Sequence, residues 1–274
     1  MKYGVIITGG EALEQVELAR AAEAAGWDGV FTWDGIHVGD DIATYDPFAL
    51  MAAFAASTQR VTLGAVVQPL SRRKPWEVAR QTTTVDRLSG GRLVLPVGLG
   101  ALDDRGFGAT GGVTDRLQRA ELLDESLEIL IGLWSGEPLE HHGKHYGFPA
   151  MAFSPTPVQR PRIPVWVVGI WPHRRSMERV LRWDGILASA GSRELTPALL
   201  AEIRAWIAKR RSLDGFDLVV EGVTPADDPA AAASRVRAWD EAGATWWIES
   251  DWSNWEIGLA RRRIDAGPPA LRVR

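Results

Sequence analysis

Cysteine is absent from the 274 residues, which excludes disulfide frameworks, thiolate metal sites, iron–sulfur clusters and cysteine nucleophiles. Any redox chemistry must therefore come from a bound organic cofactor. Lysine is nearly absent as well: Lys2, Lys74, Lys144 and Lys209 are the only four, and none stands at the tip of an expected strand, where Schiff-base chemistry would want one. No apolar run approaches the roughly 20 residues of a membrane span, and Met1-Lys2-Tyr3-Gly4 leads into a short strand-like segment without a signal-peptide core. The cytoplasm is the expected compartment, with no membrane partner. A basic excess is lacking too. The net charge of -4 argues against a nucleic-acid groove, which needs a basic stripe to neutralise phosphates. What is present, 46% hydrophobic and 24% charged residues, is the composition of an ordinary folded chain.

Short β-branched runs alternate with longer helical patterns from end to end, the signature of βαβ units around a parallel sheet. Eight cycles can be counted. The expected strands are Tyr3–Ile7, Gly29–Trp33, Val61–Val67, Leu93–Val97, Val165–Val168, Gly185–Ala188, Leu218–Glu221 and Thr245–Ile248. The expected helices are Ala12–Ala25, Pro47–Ser57, Trp76–Leu88, Asp115–Trp134, Arg174–Trp183, Pro197–Arg211, Pro229–Ala242 and one near Trp255–Ile264. Leu117, Ala120, Leu123, Leu127, Leu130 and Leu133 recur at spacings of three and four, which predicts one apolar stripe. Gly26, Gly136 and Gly243 fall at expected C-terminal caps, Thr114, Thr196 and Asp228 just before helix starts, and Pro197 and Pro229 at first helical positions. The strands are apolar almost without alternation, as parallel strands buried on both faces are. Eight such cycles in about 250 residues specify an α/β fold, a (β/α)8 TIM barrel, and no linker divides the chain. It is read as a single domain over residues 1–274. One segment, Ser135–Ile163, is too rich in proline and glycine for a helix; it is expected to leave the barrel as a hairpin around Gly143 and an extended strap over Pro155–Pro164. A doubly wound dinucleotide fold is the rival, but Gly98–Asp103 places Asp103 where the third glycine of the fingerprint belongs.

In such barrels function sits at the C-terminal ends of the strands. The residues there include Thr8, Asp34 to His37, Gln68, Gly98 to Asp104, Gly169 to Arg175, Ser189 to Ser192, Glu221 to Thr224 and Glu249 to Trp255. Carboxylates do not cluster at adjacent strand ends as magnesium-assisted enolisation requires, and His37 and His173 are too few for a hydrolytic zinc site. Glu221 and Glu249 could form a glycosidase pair, though nothing flanking them supports it. His141, His142 and His145 lie on the excursion and read as surface residues, so no metal is expected. What remains is glycine, tryptophan, a few polar groups and arginines, which suits a flat aromatic cofactor with an anionic tail. Gly98 and Gly100 allow a ligand close to the backbone, or else form a tight turn. His173, Arg174, Arg175 and Ser176 stand at a helix start, where cations are unfavourable unless a phosphate sits among them; alternatively, the arginines pair with Glu178 or Asp184. Arg72-Arg73-Lys74 is either a solvated loop or a second anion contact. Trp33 and Trp171, with Gln68, are the candidate substrate-facing residues, and Trp252 and Trp255 share the mouth loops.

The stretch "RVTLGAVVQPLSRRKPWEVARQTTTVDRLSGGRLVLPVGLGA", Arg60–Ala101, resembles the luciferase-like family of flavin- and deazaflavin-dependent oxidoreductases. "AAEAAGWDGVFTWD", "DPFALMAAFAASTQRV", "LDESLEILIGLWSGE" and "GKHYGF" extend the likeness through Trp183 and more weakly to Trp247. The resemblance implies the same barrel, and FMN or coenzyme F420 as cofactor. It implies a non-prolyl cis bond at Ala65–Val66 propping the ring, Asp34 beside the ring, and Gly98, Gly100 and Gly169 approaching the ring or its phosphate. Two positions depart from the family's sugar-phosphate dehydrogenases: Gly35 replaces the histidine that follows the matched aspartate, and Ala101 replaces an acidic residue. That activity is not expected to transfer. His37, two residues on, is the candidate catalytic acid/base with Asp34, since an ordinary imidazole pKa near ~6.5 serves either direction. With flavin the substrate would be oxygenated, and with deazaflavin hydride would be transferred. A small-molecule substrate, a separate flavin or deazaflavin reductase and a homodimer are the partners this reading admits. A non-catalytic flavin-binding homologue and a non-redox phosphate-binding isomerase or lyase are the alternatives.

Overall fold

The computed structural model describes residues 1–269. Its main sheet is built from parallel strands β1 (Lys2–Ile6), β2 (Gly29–Thr32), β3 (Thr62–Ala65), β4 (Gln68–Pro69) and β5 (Leu95–Gly98), followed after an insertion by β8 (Val165–Ile170), β9 (Gly185–Ser189), β10 (Asp217–Gly222) and β11 (Trp246–Glu249). Their order is β3-β2-β1-β11-β10-β9-β8-β5-β4, and a parallel bridge between Leu63 and Leu93 joins the two ends. The sheet thus curls into a barrel in which β3 and β4 are two pieces of one strand. Helices α1 (Ala12–Ala24), α2 (Pro47–Ser57), α3 (Pro75–Ser89), α4 (Arg116–Ser135), α5 (Arg174–Val180), α6 (Pro197–Ala208), α7 (Pro229–Glu241) and α8 (Ile257–Asp265) follow the eight barrel strands in turn. This is the expected (β/α)8 barrel.

Local chemistry sets the helix ends. Asp46, Thr196 and Asp228 cap α2, α6 and α7 with side-chain oxygens accepting backbone N–H groups, each followed by proline at the first helical position. The cap of α4 is Asp115 rather than Thr114, because its carboxylate accepts from Gln118 N. Leu117, expected on the apolar stripe, is exposed. Beyond it α4 buries a broader face than one stripe, since the insertion packs on its flank. That insertion forms an antiparallel hairpin, β6 (Leu139–His142) and β7 (Gly147–Met151), then the strap, whose Gln159 amide donates to Asp86 Oδ1 at 2.7 Å. α5 stops at Val180, three residues short of the expected end. The implied cis bond is also displaced: the structure has it at Val66–Val67. Thr32 pairs with Ala65 and its carbonyl accepts Val66 N at 2.8 Å, so the ladder with β2 holds the Ala65–Val66 peptide and the strand breaks one residue later.

Alternation along the strands sorts their side chains into an outer layer facing the helices and an inner cluster inside the barrel. Phe31, Trp166 and Trp246 fill the lower part of the inner cluster with ring centroids 5.4–6.0 Å apart. Gly4 and Gly29 make room for them, because a Cβ at either position would meet the Phe31 ring at 2.6 or 2.7 Å. Asp217 accepts Trp166 Nε1 at 3.1 Å and Thr245 Oγ1 at 2.9 Å, and its burial pushes its carboxyl up. Ionisation of Asp217 is therefore unfavourable in the folded state. Asp217→Asn is expected to raise stability at neutral pH, and the gain should fade as pH falls through the raised pKa toward the ordinary value of ~3.9. Denaturant midpoints of both proteins between pH 4 and pH 8 check this.

Candidate functional site at the barrel mouth

The upper inner positions follow from parity. Above Trp166 come Val168 and Ile170, above Leu187 comes Ser189, above Val219 comes Glu221, and above Ile248 comes Ser250. On the opposite wall the break between β3 and β4 presents Val66 and Val67 beside Gly98. A Cβ on Gly98 would lie 3.0 Å from methyl groups of both Val67 and Val168, so glycine keeps this wall low and flat. Val67, Val168 and Ile170 are partly exposed, forming an apolar platform within a polar-edged mouth. Gln68 is fully buried and in register with outward-facing Val97, and neither of its amide atoms has a hydrogen-bond partner among the described residues. It lies behind the platform rather than in the open mouth. Gly100 adopts φ of +75° and packs under Phe107, where a Cβ would meet the ring at 2.6 Å. A Cβ on Gly169 would meet Ile186 and Val180, on the helix side of β8.

Asp34 sits at the end of an ion network rather than at an open edge. Its side chain is 1% exposed, and its carboxylate accepts from Arg72 at 3.1 Å and from Arg73 at 2.9 and 3.1 Å. Arg72 also pairs with buried Asp104 and lies over the Phe107 ring at 4.8 Å. Burial would raise Asp104, but backbone N–H groups of His37, Gly106 and Ile36 and the Arg72 guanidinium outweigh it and hold the carboxyl low. Arg72 and Arg73 are thus internal struts tying the loops after β2, β4 and β5, neither a solvated loop nor an anion clamp. The network fixes the His37 backbone through Asp104 Oδ1 at 3.0 Å. The His37 ring, 37% exposed, lies on the rim with Nε2 3.2 Å from Asp40.

Trp33, Trp252 and Trp255 pack on one another at centroid distances of 5.1–6.4 Å, closing the side of the mouth between β2 and β11. The Trp33 indole N–H donates to Thr8 O at 3.0 Å, which fixes the cluster to β1. Trp171 stands on the other side against Trp206, 6.0 Å between centroids. Sequence order separates these residues by up to 222 positions, and only barrel closure brings Trp33 to Trp255.

Glu221 and Glu249 lie on opposite faces of the sheet, so they form no pair. Glu249 faces the helices, accepting from Thr224 Oγ1 at 2.8 Å and Trp247 Nε1 at 3.0 Å, with Arg263 at 3.6 Å. Glu221 faces the mouth, accepts Trp252 Nε1 at 3.0 Å, and has no basic partner among the described residues. Desolvation by the surrounding barrel pushes its carboxyl up, against the hydrogen bonds of Trp252 and Ser250, although the residue is exposed to water. This is an exposed carboxylate on the inner face of the barrel mouth. Its titration should change Trp252 emission at a pH above the ordinary glutamate value of ~4.3. The wild-type minus Glu221→Gln difference spectrum across pH 4 to 9 reads this; a flat difference contradicts the geometry.

The start of α5 is less cation-rich toward the mouth than its sequence suggests. Arg174 is 87% exposed and its Nε donates to Glu178 at 2.7 Å, the i,i+4 alternative. Ser176 Oγ accepts Ile170 N at 3.0 Å and binds Val168 O at 3.3 Å, joining helix to strand. Arg175 is exposed with no ion-pair partner among the described residues. The excursion histidines His141, His142 and His145 lie beside Glu125, Glu140 and Glu121 respectively.

Barrel and mouth together define a parallel (β/α)8 fold with an apolar platform, a tryptophan wall and one open carboxylate. The profile of the family described as luciferase-like monooxygenase matches residues 4–266, and the chain belongs to that family. An F420-dependent glucose-6-phosphate dehydrogenase of Mycobacterium tuberculosis is 30% identical over 239 residues, covering 82% of this chain and 69% of that one. Its counterpart in Rhodococcus erythropolis is 31% identical, covering 82% and 68%. Among solved structures, an F420-dependent secondary alcohol dehydrogenase in complex with an F420-acetone adduct superposes with a TM-score of 0.81 at 16% identity, covering 99% of both chains. The coenzyme F420 dependent tetrahydromethanopterin reductase of Methanopyrus kandleri gives 0.78 at 16%, covering 97% and 96%, and a monooxygenase of Streptomyces bottropensis gives 0.75 at 20%, covering 96% of both. These three share the fold.

Proposed function

We propose that this protein is a deazaflavin-dependent oxidoreductase acting on a small organic substrate, with FMN-dependent oxygenation as the second reading. The observation that carries it is the flat apolar platform of Val67, Gly98 and Val168 in a barrel of the luciferase-like family. Relatives named for coenzyme F420 support the first reading, and the structural likeness to a monooxygenase supports the second. The residues present fit such a ring: Gly98 leaves the platform free of a Cβ that would press on Val67 and Val168, and partly exposed apolar groups await cover. When bound, the cofactor supplies hydride transfer, or, as flavin, reaction with oxygen.

The chain's own residues do the rest. Val67 and Val168, backed by Val66, would support the ring, and the tryptophan wall would exclude water from one side. Asp34, locked by two arginines, positions the loop after β2, and His37 at the rim and Glu221 in the mouth are the groups able to handle a substrate proton. Arg175, exposed and without an ion-pair partner among the described residues, is the candidate for the cofactor's anionic tail. A phosphorylated sugar, as named for the relatives, is disfavoured by Gly35 and Ala101 and by an unpaired carboxylate in the mouth. A separate reductase and a homodimer remain part of the proposal. Spectral titration of the purified protein with coenzyme F420 and with FMN tests the assignment. Saturable binding of either at micromolar concentration is expected, and binding of neither overturns it. His37→Ala is expected to lower turnover and flatten the pH profile if the rim imidazole moves the proton, and to leave both unchanged if it does not.

A further inference from the structure

The geometry points to Glu221 as the specificity-determining group of the mouth: it receives a hydroxyl or protonated amine of the substrate and excludes anionic substrates. The inference rests on the reading of the mouth as the substrate site, and four observations carry it.

First, Glu221 is inward-facing. Val219, two residues earlier on β10, belongs to the inner cluster, and the same two-residue step places Glu221 above it. Second, the closed strand order puts β10 four positions from the β3–β4 strand in a barrel of eight, so Glu221 looks across the opening at the Val66–Val67 platform. A flat molecule held on that platform would have Glu221 across the opening from it. Third, the carboxylate is held but not neutralised. Trp252 Nε1 donates to one oxygen at 3.0 Å, and no cation faces it among the described residues. The buried carboxylates of the upper barrel described above each have a cation: Asp34 has Arg72 and Arg73, Asp104 has Arg72, and Glu249 has Arg263. Fourth, Glu221 is exposed to water on the inner face of the mouth, which leaves its carboxylate open to a partner.

The chemistry of the partner follows. An anion would sit beside a carboxylate that no cation neutralises, and the like charges would repel. A hydroxyl or ammonium group instead gives the acceptor a donor, and a hydrogen bond to a charged group is the stronger kind. The adjacent Trp252, Trp33 and Trp255 supply apolar and π surface, which favours a hydrophobic body on the same molecule and is attractive to a cation.

The test is calorimetric binding of four matched probes, benzylammonium, benzyl alcohol, benzoate and benzyl phosphate, to the full-length protein with saturating coenzyme F420. Coenzyme F420 affinity is measured separately for wild type and Glu221→Gln. Benzylammonium and benzyl alcohol are expected to bind at least tenfold tighter than benzoate and benzyl phosphate. In Glu221→Gln the ammonium-to-benzoate ratio should collapse toward one while coenzyme F420 affinity stays within twofold, and Glu221→Asp should restore part of the ratio. Equal binding of the four probes, a preference that survives Glu221→Gln, or no binding of any probe while coenzyme F420 binds overturns the inference. If coenzyme F420 itself fails to bind and FMN does not replace it, the cofactor reading falls, and the same probe series run on the protein alone still decides the role of Glu221.

Discussion

Trp166→Ala is expected to cost about 3–5 kcal/mol of folding stability, the range for deleting a fully buried large aromatic side chain. Three losses coincide at this site. The indole is 1% exposed and fills the lower barrel between Phe31 and Trp246, at centroid distances of 5.9 and 5.4 Å, so alanine leaves a cavity that a closed ring of strands cannot collapse around. The tilted and edge-to-face contacts with those rings go with it. Asp217 also loses the N–H donor that partly offsets its burial, and an unsatisfied buried group adds its own penalty. Urea unfolding followed by circular dichroism measures the loss. Trp166→Phe, which keeps most of the volume but not the N–H, should recover more than half of it.

Arg72→Ala is expected to cost about 3–5 kcal/mol, because it strips a buried ion network of its central cation. The side chain is 6% exposed and bridges Asp34 and Asp104, themselves 1% and 6% exposed, while its guanidinium covers Phe107. Removal leaves Asp104 as a buried carboxylate with only backbone donors, and Asp34 with Arg73 alone. Lysine should recover little, since its three donors sit on one nitrogen, whereas the guanidinium reaches Asp104 from Nη1 and Asp34 Oδ1 and O from Nη2. The loops after β2, β4 and β5 meet at this arginine and its partners, with Arg105 N donating to His37 O at 2.9 Å as the further tie, so cofactor affinity should fall with stability. Thermal melting with and without coenzyme F420 separates the two: a stable Arg72→Ala protein contradicts the network's role.

The architecture was legible because parallel strands with apolar runs, capped helices and proline at first helical positions all obey local rules. Asp46, Thr196 and Asp228 cap where their side chains can reach the backbone, and Pro47, Pro197 and Pro229 follow them. The site was less legible for one physical reason. A strand buried on both faces carries no alternation to say which side chains face the barrel interior. Glu221 and Glu249 therefore looked alike in the sequence although one faces the mouth and the other the helices. The break at Val66–Val67 resets parity along the third barrel strand, which hid that Val67 faces the platform and that Gln68 lies behind it. Asp34 was found as an acidic residue after the second strand, but its partners stand 38 and 39 residues away in a loop that read as solvated. Arg174 has its partner in Glu178 one turn along, a spacing the sequence did contain.

The central claim is that the Val67, Gly98 and Val168 platform holds the cofactor ring, and one side-by-side titration of wild type and Gly98→Ala with coenzyme F420 tests it most directly. A Cβ at Gly98 lies 3.0 Å from methyl groups of both neighbours and stands on the platform itself. Binding should weaken about tenfold, about 1.4 kcal/mol, in a variant that still shows the wild-type circular dichroism spectrum. Equal affinity of the two proteins, or no binding of coenzyme F420 or FMN to wild type, would contradict the account.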